Sequence, residues 1–115
     1  MRKRVAALSE FTVDEMLDMQ RRLQEKYRDI WEGISPEVGR NKLLWMIGEI
    51  GEVIDVIKKQ GHEPIMEDAA VRAHFVEEMA DVLMYYNDML LCYGITSDEL
   101  KQVYVDKFKR NMTRW

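Results

Sequence analysis

The stretch SPEVGRNKLLWMIGEIGEVIDVIKKQG, residues 35–61, decides the fold. Ser35 suits an N-cap, and Pro36 suits the first helical position, where a missing N–H goes unneeded. Lys58 and Lys59 fall in the last turn and Gly61 follows, both ordinary stop signals. Between these ends Leu43, Met46, Ile47, Ile50, Val53, Ile54 and Ile57 recur at helical spacing and make one wide apolar face. Gly48, Gly51 and Asp55 take a second side, and Glu49, Glu52 and Val56 form a stripe beside the apolar face. Two details look functional. A glycine inside an exposed helix costs about 1 kcal/mol relative to alanine. Like charges one helical turn apart cost roughly 0.2–0.5 kcal/mol more.

Working outward, TVDE at residues 12–15 reads as a capping box that opens a helix running to Trp31. EGISPE is a loop, and HEPIMED, residues 62–68, is a connection. A further helix spans 69–93, where Phe75, Met79, Val82, Tyr86, Leu90 and Tyr93 make its core face. Along its border run Glu78, Asp81, Tyr85 and Asp88. TSDE at 96–99 starts the last helix, which reaches Met112. No β-alternating run, internal repeat or linker interrupts this pattern. The expectation is an all-α, four-helix bundle-like subunit in which residues 1–115 form one domain.

Composition narrows the function classes. With 47% apolar and 33% charged residues the chain is globular rather than disordered. A net charge of −4 argues against coating a nucleic acid polymer. The single cysteine, Cys92, forms no internal disulfide and fits a reducing cytoplasm. The basic start MRKRVAAL has too short an apolar run for a signal peptide. No stretch approaches the roughly 20 apolar residues of a membrane span. A soluble cytoplasmic protein is expected.

The charge is unevenly spread. Residues 47–57 carry Glu49, Glu52 and Asp55 without a basic residue, and 77–88 carry Glu77, Glu78, Asp81 and Asp88 without one. The tail 101–115 sets Lys101, Lys107, Lys109, Arg110 and Arg114 against Asp106. If the two long acidic helices pack antiparallel, their carboxylates meet at the rim of an apolar core. Acids that close repel unless a cation lies between them, and oxygen donors in this number suit Mg²⁺ or Mn²⁺. A di-iron bundle needs Glu-x-x-His pairs, and His62 and His74 lie outside such a pattern. The competing reading is a non-catalytic helical interaction module whose acids decorate solvated faces.

GEIGEVIDVIKK at 48–59, followed by EEMADVLMYYNDML at 77–90, resembles the MazG-like all-α nucleoside triphosphate pyrophosphohydrolases. Their E-x-x-E, spacer, E-x-x-D signature falls on Glu49, Glu52, Glu78 and Asp81. The ending KFKRNMTRW resembles that of dCTP-pyrophosphatase-like members through Lys107, Asn111, Arg114 and Trp115. The resemblance implies Mg²⁺-dependent hydrolysis of a (deoxy)nucleoside triphosphate to monophosphate and pyrophosphate. It implies the four acids as metal ligands, with Glu49 or Glu52 also orienting the attacking water. It further implies Tyr85 against base or sugar and a homo-oligomer (dimer or tetramer); the net charge and the lack of an apolar span leave neither nucleic acid polymer nor membrane as an expected partner. Lys107, Asn111 and Arg114, spaced to share one face of the last helix, suit triphosphate oxygens, with Arg110 a neighbour. Gly48 and Gly51 would let a neighbouring helix approach closely. The substrate stays open among dUTP, dCTP, a modified nucleotide and phosphoribosyl-ATP.

Overall fold

The computed structural model describes residues 10–115, so the basic start lies outside the described residues. These form α1 (Val13–Lys26), α2 (Pro36–Gln60), α3 (His62–Glu67), α4 (Ala69–Cys92) and α5 (Ser97–Arg114), with no strand among the described residues. None of these helices is long and apolar enough to cross a membrane. The fold is all-α.

Local chemistry explains most boundaries. Thr12 accepts from the Glu15 amide at 3.2 Å while Glu15 Oε1 accepts from the Thr12 amide at 2.9 Å, the expected capping box. Thr96 accepts from the Glu99 amide at 3.1 Å and opens α5. Ser35 stands at the N-cap of α2 but its side chain caps nothing, and Pro36 supplies the start. Gly61 ends α2 at φ +77°, a conformation open to glycine. Two segments differ from the sequence expectation. α1 stops at Lys26 rather than Trp31, because Tyr27 and Trp31 stack at 4.7 Å across a turn in which Ile30 and Trp31 both donate to the Tyr27 carbonyl. The connection 62–68 is largely helical, forming α3, which tucks in Ile65, and Asp68 then caps α4 by accepting from the amides of Ala70 and Val71.

α2 and α4 form the main contact, with α1 and α3 packed against α4. Lys42 faces Asp88 and Glu49 lies near Asp81, so numbers rise along α2 as they fall along α4: the pair is antiparallel. The inner stripes are not the ones the apolar pattern indicates. Gly39, Lys42, Val53 and Val56 are buried on α2, with Glu49 half-buried in the same stripe. Leu43, Ile47, Ile50, Ile54 and Ile57 instead stay between 39% and 55% exposed. On α4, Asn87, Asp88, Leu90 and Cys92 are buried, while Met79 and Tyr93 of the expected core face are exposed. The acid-bearing stripes turn inward and the wide apolar face of α2 turns out. α5 makes no extended contact with another helix and buries none of its residues; Ser97 donates to Asp14 at its start. Three long helices and α3 therefore pack within one chain, and the fourth long helix stands apart.

The glycines behave differently from expectation as well. Nothing lies within 4 Å of a methyl placed at Gly48 or Gly51, so within one chain neither serves a close approach. Gly39 does: a methyl there would overlap the Tyr93 ring. Gly39→Ala should therefore destabilise the fold by no more than about 1 kcal/mol, since the half-exposed Tyr93 ring can swing aside. Gly51→Ala should stabilise an isolated subunit by roughly 0.5–1 kcal/mol. Chemical denaturation of the two variants beside the parent checks both signs.

Candidate metal and nucleotide site

Glu49 comes from the inner stripe of α2, and Glu78 and Asp81 from one turn of α4 that faces it. All three are half-buried, and an oxygen of each lies within 4.8 Å of the others. Glu52 is exposed one turn beyond Glu49, outside this group of three. It is still near enough to act on Glu49. The Glu49 carboxyl is pushed above its ordinary value of 4.5 by burial, then by the charges of Asp81, Glu78 and Glu52. His74, one turn before Glu78, places Nε2 3.6 Å from its Oε1 at the exposed edge.

A cavity of about 830 Å³ opens beside this group, and Glu49 and Asp81 line it. Its walls include Trp31 from the turn after α1, Trp45 from α2, and Tyr85 from α4, one turn past Asp81. Burial and the charges of Glu49, Asp88 and Asp81 raise the Tyr85 hydroxyl pKa, holding it neutral as a hydrogen-bond donor. Lys107, Arg110, Asn111 and Arg114 do not line the cavity; all sit on α5, exposed except for half-buried Asn111. One chain thus brings together Glu49, Glu78, Asp81 and Tyr85, and leaves the basic tail apart.

At the far end of the cavity lies a polar group that pattern reading passed over. Asp88, 4% exposed, accepts from Gln20 Nε2 at 2.8 Å and from Gln24 Nε2 at 3.3 Å. Lys42 Nζ stands 4.0 Å from its other oxygen. Gln20, Gln24 and Lys42 are 4%, 6% and 6% exposed. The signal was present in spacing: Leu17, Gln20 and Gln24 sit at i, i+3 and i+7 on α1, so two amides occupy positions an apolar stripe would fill.

Three carboxylates converging from two helices, all hard oxygen donors, fit a divalent cation such as Mg²⁺. Residues 39–113 match the MazG nucleotide pyrophosphohydrolase domain. The chain belongs to that family. No curated protein and no solved structure is detectably similar to it. The match covers α2 to α5 almost entirely and includes every acid of the site, while α1, which supplies Gln20 and Gln24, precedes it. The MazG domain makes cleavage of a nucleotide phosphoanhydride the class of chemistry.

The crowding of Glu49 has a pH signature. An acid whose pKa is higher folded than unfolded stabilises the fold while protonated. That contribution is present below the unfolded value and lost as pH rises through the raised folded value. In chelator, the parent should thus lose stability relative to Glu49→Gln as pH climbs from the ordinary glutamate range toward neutrality. Melting temperatures of both proteins across that range check it; parallel curves would mean that Glu49 is not crowded in solution.

Proposed function

We propose that the chain hydrolyses a (deoxy)nucleoside triphosphate to its monophosphate and pyrophosphate in a Mg²⁺-dependent reaction, with Mn²⁺ as a possible substitute. The observation that carries this reading is the group of Glu49, Glu78 and Asp81 beside a cavity walled by Trp31, Trp45 and Tyr85. Glu49, Glu78 and Asp81 would hold the cation, with Glu52 completing the set. Bound there, a divalent cation neutralises phosphate charge and aligns the scissile anhydride for in-line attack. Glu52 or Glu49 orients a water toward the α-phosphorus and takes its proton. The bond from that phosphorus to the bridging oxygen breaks, and pyrophosphate leaves. Tyr85, neutral and half-buried, packs beside base or sugar.

The outer phosphates need positive charge that one chain does not bring to the cavity. We place that role on Lys107, Arg110, Asn111 and Arg114 within a homo-oligomer, dimer or tetramer. Leu43, Ile47, Ile50, Ile54 and Ile57 form one exposed stripe, and Tyr104, Phe108 and Met112 form another on α5. Contiguous apolar surface of this kind marks an interface. A second copy covering it would give α5 a packing partner and carry its basic side chains toward the acids. The same surface would suit a non-catalytic docking module, but such a module has no use for acids turned inward beside a cavity.

Incubation with a panel of nucleoside triphosphates and Mg²⁺ tests the reading. Chromatography should show monophosphate and pyrophosphate, and diphosphate with inorganic phosphate would contradict it. Glu78→Gln should lower turnover by orders of magnitude with little change in helicity. Light scattering should show an assembly that Ile54→Glu breaks into monomers, since a charge buried in an apolar interface is strongly disfavoured. A parent that scatters as a monomer would remove the oligomer from the proposal.

A further inference from the structure

The proposed function leaves the polar end of the cavity unused, and its chemistry is specific. An ionised Asp88 carboxylate only accepts, so the two glutamine amides that approach it must turn their NH₂ groups toward it. Each carbonyl then points away from Asp88. For Gln24 this leaves Oε1 buried without a hydrogen-bond partner, on a residue that is 94% buried and lines the cavity. A buried acceptor in that position is disfavoured until a donor arrives. Lys42 Nζ lies at ion-pair rather than hydrogen-bond distance from Asp88, so the same cavity wall also carries a cationic donor.

The two ends of one cavity therefore ask for different things. Glu49 and Asp81 suit a cation and the phosphates it carries, while the Gln24 end suits an uncharged group with N–H beside a hydrogen-bond acceptor. Trp31, Trp45 and Tyr85 between them offer flat apolar walls. A nucleobase is the part of a nucleotide that is planar and carries donor and acceptor side by side. We propose that Gln24 is a specificity-determining residue: its Oε1 accepts from an N–H on the Watson–Crick edge of the base, and Asp88 fixes the amide in the orientation that makes this so. Lys42 donates to the neighbouring ring nitrogen or carbonyl. The proposal rests on the nucleotide reading of the site given above.

The test compares matched substrates. Among dATP, dGTP, dCTP and dUTP, the best substrate is assayed with Mg²⁺ against the analogue methylated so that its Watson–Crick edge donates no N–H. The parent should favour the unmethylated base in kcat/KM by about tenfold or more, because methylation leaves Gln24 unpaired. In Gln24→Leu and the longer Gln24→Met that ratio should collapse toward one. Asp88→Asn, which frees the amide to turn, should lower it as well, a change in selectivity that a loss of stability alone would not produce. Binding of α,β-imido nucleotides reads the same ratio without turnover. If the parent treats both bases alike, water satisfies Gln24 and the proposal is overturned while hydrolysis stands. If the variants fold and keep the ratio, another group reads the base and the proposal is again overturned. If Gln24→Leu and Gln24→Met do not fold, the near-isosteric Asp88→Asn carries the test, and a ratio unchanged in it overturns the proposal. A chain that neither hydrolyses nucleoside triphosphates nor binds their imido analogues sinks both readings.

Discussion

A buried carboxylate sets the register of this fold. Asp88 is almost wholly withdrawn from water, and an ionised carboxylate in that position is costly unless charge and hydrogen bonds compensate it. Compensation comes from two helices at once: Gln20 and Gln24 on α1, and Lys42 on α2. Sliding α2 by one turn along α4 would remove Lys42 from Asp88 and leave two unpaired charges inside. The register so fixed puts Glu49, two turns on from Lys42, opposite Asp81, two turns back from Asp88. The pairing that holds the helices together thus also assembles the acidic group. Buried ion pairs are weak evidence for net stability, and their better-attested use is to select one arrangement over others. Here the arrangement selected is the one that forms the site.

The elements were legible because their signals are local. Capping boxes, Pro36, the glycine stops and uninterrupted helical periodicity depend on a few neighbouring residues, and the structure follows them except at the end of α1 and in the 62–68 connection. Of the four acids that the spacing singled out, Glu49, Glu78 and Asp81 come within reach of one another and Glu52 stays outside the group. Which side of each helix faces inward was not legible. α2 has apolar residues around most of its circumference, so the widest apolar face was a poor guide to the buried one. Val56, assigned to an acidic stripe, is buried, whereas Ile47 is more than half exposed. Gln20, Gln24 and Lys42 escaped because polar residues in an inner stripe resemble surface residues until a partner is seen. The placement of α5 escaped for a different reason: among the described residues it has little to pack against, and amphipathicity alone names no partner.

The inward turn of polar stripes has a consequence for stability. Among the described residues the buried apolar side chains are Leu17, Val53, Val56, Ile65, Leu90 and Cys92, few for a chain of this length. The space between α1, α2 and α4 is instead used by Gln20, Gln24, Lys42, Glu49, Asp81 and Asp88. A hydrogen bond made there returns a net ~1 kcal/mol, where a leucine-sized side chain buried in the same space would supply about 1.5–3 kcal/mol. A small domain buries a modest fraction of its surface in any case, and this one lines its largest interhelical contact with polar side chains. The isoleucines of α2 and the aromatic residues of α5 hold the missing burial on the outside. On the proposed reading a second copy supplies it, and catalysis and association become one design problem: a groove polar enough to hold a nucleotide and a cation leaves the subunit short of core, and the surface that restores that core is the one through which α5 would bring the phosphate-binding side chains to the site.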